Sequence, residues 1–209
     1  MMKNFLLFAH LSCAAICSAQ VINGSFESPN VVATLDDGTG LYLYTRNSTV
    51  ATGWTMSGSQ WIWIGSRAPF WVAADGNQYT EVESGFSGAI SQSLATVAGQ
   101  QYTLSFSYAA NPFVAAGNAD DSMRVSFGGS FVDLIDGTDT TQNDLNWMTK
   151  SYVVTATSSS SILQFEDGFV GQPFHGGFLD NVSVVPVPEP GTFAVLGLGA
   201  AALLRRRRP

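Results

Sequence analysis

Glu81 and Glu83 stand two residues apart in TEVES, and Asp120 and Asp121 are adjacent in GNADDS. Paired carboxylates hydrolyse glycosidic bonds when one acid protonates the leaving oxygen and the other faces it across a cleft. A spacing of two on a strand puts both side chains on one face, so Glu81 and Glu83 do not oppose each other. Asp120 and Asp121 follow Gly117-Asn118, a turn sequence, and surface solvation is the better account of both pairs. The cysteines, Cys13 and Cys17, lie in the apolar N-terminal segment, and His175 is the one histidine beyond it. Once that segment is removed, a disulfide, a thiol nucleophile and a zinc site built on Cys or several His are excluded. No nucleophile elbow marks a Ser/His/Asp triad. The reading is therefore of a protein that is not an enzyme.

Aromatic residues offer a different chemistry. The apolar faces of a sugar stack on flat rings, while nearby Asn, Gln and Asp take its hydroxyls. Trp61 and Trp63 share one face of a strand, and Trp71 follows beyond a turn at Pro69, where it is expected to be exposed. These three are the candidate stacking residues. The competing account is that aromatics at period two line a core, which suits Trp61 and Trp63, and burial is also expected of Trp54 and Trp147.

The elements that must position these residues are short strands. In QYTLSFSY, residues 101–108, Tyr102, Leu104, Phe106 and Tyr108 share one face and Thr103, Ser105 and Ser107 the other, the pattern of a half-buried strand. Residues 89–96 read as its partner across a turn at Ala98-Gly99. Further strands are expected at 61–64, 79–83, 123–127, 147–155, 162–165 and 178–185, with 133–146 a long acidic loop. Eight or more strands and no sizeable helix between residues 20 and 185 make an all-β sandwich or jelly roll.

Both ends read as address labels. Residues 1–19 have one basic residue, Lys3, an apolar run and small residues at Cys17-Ser18-Ala19, which reads as a signal helix cut before Gln20. From Gln20 to Val187 there remain four cations against fifteen carboxylates, a net charge of −11. Such a surface repels polyanions and excludes nucleic acid as a partner, while favouring cations such as calcium. The sequons at Asn23, Asn47 and Asn181 would suggest N-glycans in a eukaryote and would carry little weight in a bacterium.

The C-terminal tail, residues 186–209, holds Pro188-Glu189-Pro190, an uncharged run from 191 to 204 and the cluster Arg205, Arg206, Arg207, Arg208. As a helix that run reaches roughly 21 Å, a short transmembrane span, and the arginines stop it on the cytoplasmic side. Prolines at 186, 188 and 190 keep the motif extended and accessible. These three features in this order resemble the PEP-CTERM sorting domain of Gram-negative bacteria. The resemblance implies recognition and cleavage near the Pro-Glu-Pro motif by an exosortase. It also implies export across the inner membrane as a transient single-pass precursor, and delivery to the cell surface or the extracellular space. Exopolysaccharide is the expected partner of a structural or adhesive protein sorted in this way.

The domain between, residues 20–185, resembles galactose-binding-like jelly rolls of carbohydrate-binding modules. The residues that carry the likeness are VINGSFE at 21–27, Gly53-Trp54, AISQ at 89–92, AGQQYTLSF at 98–106 and FLDNVSV at 178–184. Such modules hold a structural calcium where the first and last strands meet, and the matching residues are Glu27 and Asp180. A lectin-like module is the alternative function, and a secreted glycan-active enzyme a more distant one.

Overall fold

The computed structural model describes residues 19–30, 41–44, 51–57, 62–65, 71–82, 88–112, 122–136, 145–168 and 176–188, with backbone alone at 41–44 and 62–65. Eleven strands occur in this part of the chain: β1 (Leu41–Tyr44), β2 (Thr55–Ser57), β3 (Ile62–Gly65), β4 (Tyr79–Val82), β5 (Ala89–Ala95), β6 (Gln101–Ala109), β7 (Met123–Phe127), β8 (Ser130–Ile135), β9 (Met148–Thr155), β10 (Ser160–Asp167) and β11 (Gly177–Pro186). They form a six-stranded sheet, order β1-β3-β4-β11-β6-β9, and a five-stranded sheet, order β2-β5-β10-β7-β8. The expected signal and tail helices lie outside the described residues.

Alternation builds the interior. Tyr102, Leu104, Phe106 and Tyr108 of β6 meet Ile90 and Leu94 of β5, Leu163 and Phe165 of β10 and Met123, Val125 and Phe127 of β7 in one core between the sheets. Trp54 packs on Phe26 and Phe165, with centroids 5.4 and 6.3 Å away, and its indole N–H donates to the Asn23 carbonyl at 3.0 Å. Ala19 reaches the same core. The expected cut before Gln20 removes its methyl, at a cost of about 1 kcal/mol.

The expected pairing of residues 89–96 with 101–108 is corrected. β5 belongs to the five-stranded sheet and β6 to the other, so the turn at Ala98-Gly99 carries the chain across the core. Both strands turn their apolar faces inward, which a crossing satisfies as well as a hairpin does. The expected loop at 133–146 is also shortened, since β8 runs to Ile135.

Phe178 and Leu179 are neighbours in sequence and both buried, because the six-stranded sheet is covered on both faces at this end. Leu179 faces the main core. Phe178 faces outward into a second cluster with Trp71, Tyr79, Ala109 and Leu145.

Candidate functional site

The N-terminal segment is laid along the last strand and tied down by side chains from elsewhere. Gln92 accepts the Ile22 N–H at 2.7 Å and donates to the Ile22 carbonyl at 3.0 Å, standing in for a strand pair. Val182 N–H donates to the Gly24 carbonyl at 2.9 Å. Gly24 has to be glycine, because a Cβ there would lie 2.0 Å from the Val182 carbonyl oxygen. This docking sits beside an irregularity in β11 between Asp180 and Ser183, where Asn181 takes a φ of 50°. Such a bulge re-aims the side chains around it.

Glu27 and Asp180 are brought to the same loop, residues 74–78. Glu27 Oε1 accepts the N–H groups of Asn77 and Gln78, each at 2.6 Å. Asp180 Oδ2 accepts the Asp75 N–H at 2.9 Å and its Oδ1 the Asn181 N–H at 2.7 Å. Between the two carboxylates stands Gly76 at φ +72°, with Glu27 Oε1 2.5 Å from where a Cβ would be. Gln78 completes the clasp by donating to the carbonyls of Phe26 and Pro29 at 2.6 and 3.0 Å. Asp180 has no exposed surface, and burial pushes its pKa up to about 7, against the backbone hydrogen bonds that lower it; Asp75 adds a smaller repulsion. Hard, anionic oxygens at a buried turn suit calcium in kind. Among the described residues no group of three or more His, Cys, Asp and Glu gathers at one point, so carbonyls would have to complete an oxygen shell.

The aromatic expectation is revised. Trp71 is 3% exposed and its ring lies 5.7 Å from that of Phe178, so it is a packing residue and offers no open platform. Trp71 lies on the outer face of the sheet, where it packs with Phe178 and Tyr79. Trp63 lies on β3 in register with Glu81, and Trp61 lies outside the described residues. Trp147 is half-buried and donates its indole N–H to the Val72 carbonyl at 2.8 Å.

Glu81 is not a solvated surface acid. It is buried, and its Oε1 accepts from Asn111 Nδ2 at 2.8 Å and from the Gly176 N–H at 3.2 Å. Glu83, Asp120, Asp121 and His175 lie outside the described residues, as do Asn47, Glu189, Pro190 and Arg205 to Arg208. Of the sorting motif, Pro188 is described.

A family model described as a protein of unknown function, DUF642, matches residues 19–185. A second, the PEP-CTERM protein-sorting motif, matches residues 186–208. No curated protein matches the chain in sequence. Among solved structures, TmCBM61 in complex with β-1,4-galactotriose aligns with TM-score 0.50 at 15% identity, covering 80% of this chain and 99% of that one. A CBM4 structure gives TM-score 0.44 at 15% identity, with coverage of 80% and 99%. CBM35 from Paenibacillus barcinonensis gives 0.42 at 16%, with coverage of 69% and 97%. The first likeness supports the jelly-roll-type sandwich as the fold. With its domain matched from end to end, the chain belongs to the DUF642 family and carries a PEP-CTERM sorting motif directly behind that domain.

Proposed function

We propose that this chain is a non-enzymatic surface protein that an exosortase processes at the Pro-Glu-Pro motif and that is retained among extracellular polysaccharide. The observation that carries the reading is the junction between domain and tail. The sorting motif begins at residue 186, the last residue of β11, a central strand of its sheet. Val187 is still bonded to the domain, its N–H donating to the Gln101 carbonyl at 2.8 Å and its carbonyl accepting from Gln100 Nε2 at 2.8 Å. A cut after this point leaves every described strand in place. The burial of Glu81, held by Asn111 and the Gly176 N–H, supports the non-enzymatic reading. So does the likeness of the fold to carbohydrate-binding modules, one of them solved with a galactotriose bound. Replacing Pro188, Glu189 and Pro190 by alanine in the native host tests the processing. The variant is expected to stay in the inner membrane at full mass, and release at wild-type level contradicts the reading.

A structural calcium at the 74–78 loop is the second proposal, favoured by the carboxylates of Glu27 and Asp180, which both reach that loop. A cation bound only by the folded state raises the melting temperature, with the logarithm of its concentration once that exceeds Kd. A melt of the full chain in calcium is expected to exceed the melt in chelator, and identical melts contradict the proposal.

A further inference from the structure

Among the described strands, β8 ends the five-stranded sheet and β9 ends the six-stranded one. A groove of about 670 Å³ is lined by residues of both, within the range of roughly 300 to 1,000 Å³ typical of small-ligand sites. Its walls carry the aromatic residues Phe127, Phe131 and Tyr152, the first of them buried, and the hydroxyl residues Ser130, Ser151, Thr155 and Thr157. Phe131 is 58% exposed and Val153 63%, so apolar surface faces water at the rim.

One of the rings is fixed in place. Tyr152 stacks on Phe106 with centroids 6.0 Å apart and planes 23° from parallel. Its hydroxyl donates to Asp133 Oδ2 at 2.5 Å, a bond from one sheet to the other. Asp133 pairs with core-facing Val125, next to a bulge in the β7–β8 ladder, which is why an acid on an edge strand points inward. Burial, and then the hydrogen bond and charge of Asp133, raise the phenol above its ordinary range, so it remains protonated at neutral pH.

The groove therefore pairs one preorganised ring, Tyr152, and one exposed ring, Phe131, with several hydroxyl residues; none of the described residues lining it is charged, and the Arg124 guanidinium stands over one face of Phe131, 5.2 Å from its centroid. A purely apolar ligand would leave those hydroxyls unpaired. An anionic one would meet Arg124 over the Phe131 ring only as a cation already paired with Glu166 at 2.9 Å, and a domain of net charge −11. We infer that the groove between β8 and β9 binds a segment of neutral oligosaccharide, stacked on Phe131 and hydrogen-bonded along the Ser/Thr walls. The inference rests on the reading that this domain associates with extracellular polysaccharide, and it narrows the partner to uncharged sugar chains.

The test is calorimetric titration of the full chain, in a detergent without a sugar headgroup. Cellotetraose, mannotetraose, laminaritetraose and β-1,4-galactotetraose are the neutral probes, and tetragalacturonate is the charged comparison. At least one neutral probe is expected to bind, with Phe131→Ala weakening it by about tenfold or more. Val185→Ala, an equally exposed site on the far side of the six-stranded sheet, is expected to leave binding unchanged. Tyr152→Phe keeps the ring and is expected to weaken binding less than Phe131→Ala. Binding that neither groove variant alters overturns the groove while leaving the polysaccharide reading intact. Tetragalacturonate bound more tightly than every neutral probe overturns the assignment to uncharged chains. A wild-type protein that binds none of the sugars overturns both, including where Phe131→Ala instead breaks a dimer.

Discussion

Asp180 is a carboxyl group with no exposed surface, and its environment pulls its charge in two directions. Burial disfavours the ionised form, while the N–H groups of Asp75, Asn181 and Ala74 favour it, and the balance lifts the pKa from 3.8 to about 7. The folded state thus binds a proton more tightly than the unfolded chain does. Its contribution to stability is fully present below about pH 4 and is lost as pH rises to about 7, on the order of 4 kcal/mol across that window. Melting temperature against pH is expected to show this fall in the wild type and not in Asp180→Asn, and added calcium is expected to flatten it. Glu27→Ala is expected to cost about 2 to 3 kcal/mol by leaving the Asn77 and Gln78 N–H groups without their acceptor, read by denaturant unfolding. Resemblance placed Glu27 and Asp180 at one site, but their use as acceptors for a loop backbone was not legible, because backbone donors leave no trace in residue types. Trp71 was misread for a related reason. Its partner Phe178 lies on the outward face of β11, and nothing local signals that this face is covered too. Trp71→Ala is expected to cost about 3 kcal/mol without affecting sugar binding.

At the scale of elements, strands with clean alternation were legible and their neighbours were not. β7 was expected at its observed bounds, and β6 was placed to within one residue because four apolar side chains share its inner face. The pairing of β5 with β10, some seventy residues away, depends on contacts that a local pattern does not encode. β8 escaped notice because Asp133, the residue that made the segment look like a loop, is the inward-pointing acid that holds Tyr152. The docking of the N-terminal segment onto β11 is equally non-local and depends on Gly24. Gly24→Ala forces a Cβ onto the Val182 carbonyl oxygen and is expected to destabilise the fold by about 3 kcal/mol. Gln92→Leu, which removes both bonds to Ile22, is expected to loosen the same segment, seen as faster hydrogen exchange at Ile22.

For the whole molecule, destination is written more plainly than activity. The tail was legible in the sequence because a Pro-Glu-Pro motif, an apolar run and four arginines are local features in a fixed order. The proposed binding groove was not, since its lining comes from the end strands of two different sheets. The acidic domain keeps the exported protein soluble and steers it away from polyanions, which agrees with a groove built for uncharged sugars. Intact-mass analysis of the protein recovered from the extracellular polysaccharide of its native host tests this account most directly. The predicted species begins at Gln20 and ends near Pro188-Glu189-Pro190, without the four arginines, and is enriched in the polysaccharide fraction. Protein ending at Pro209, or recovered only from the cytoplasm, contradicts it.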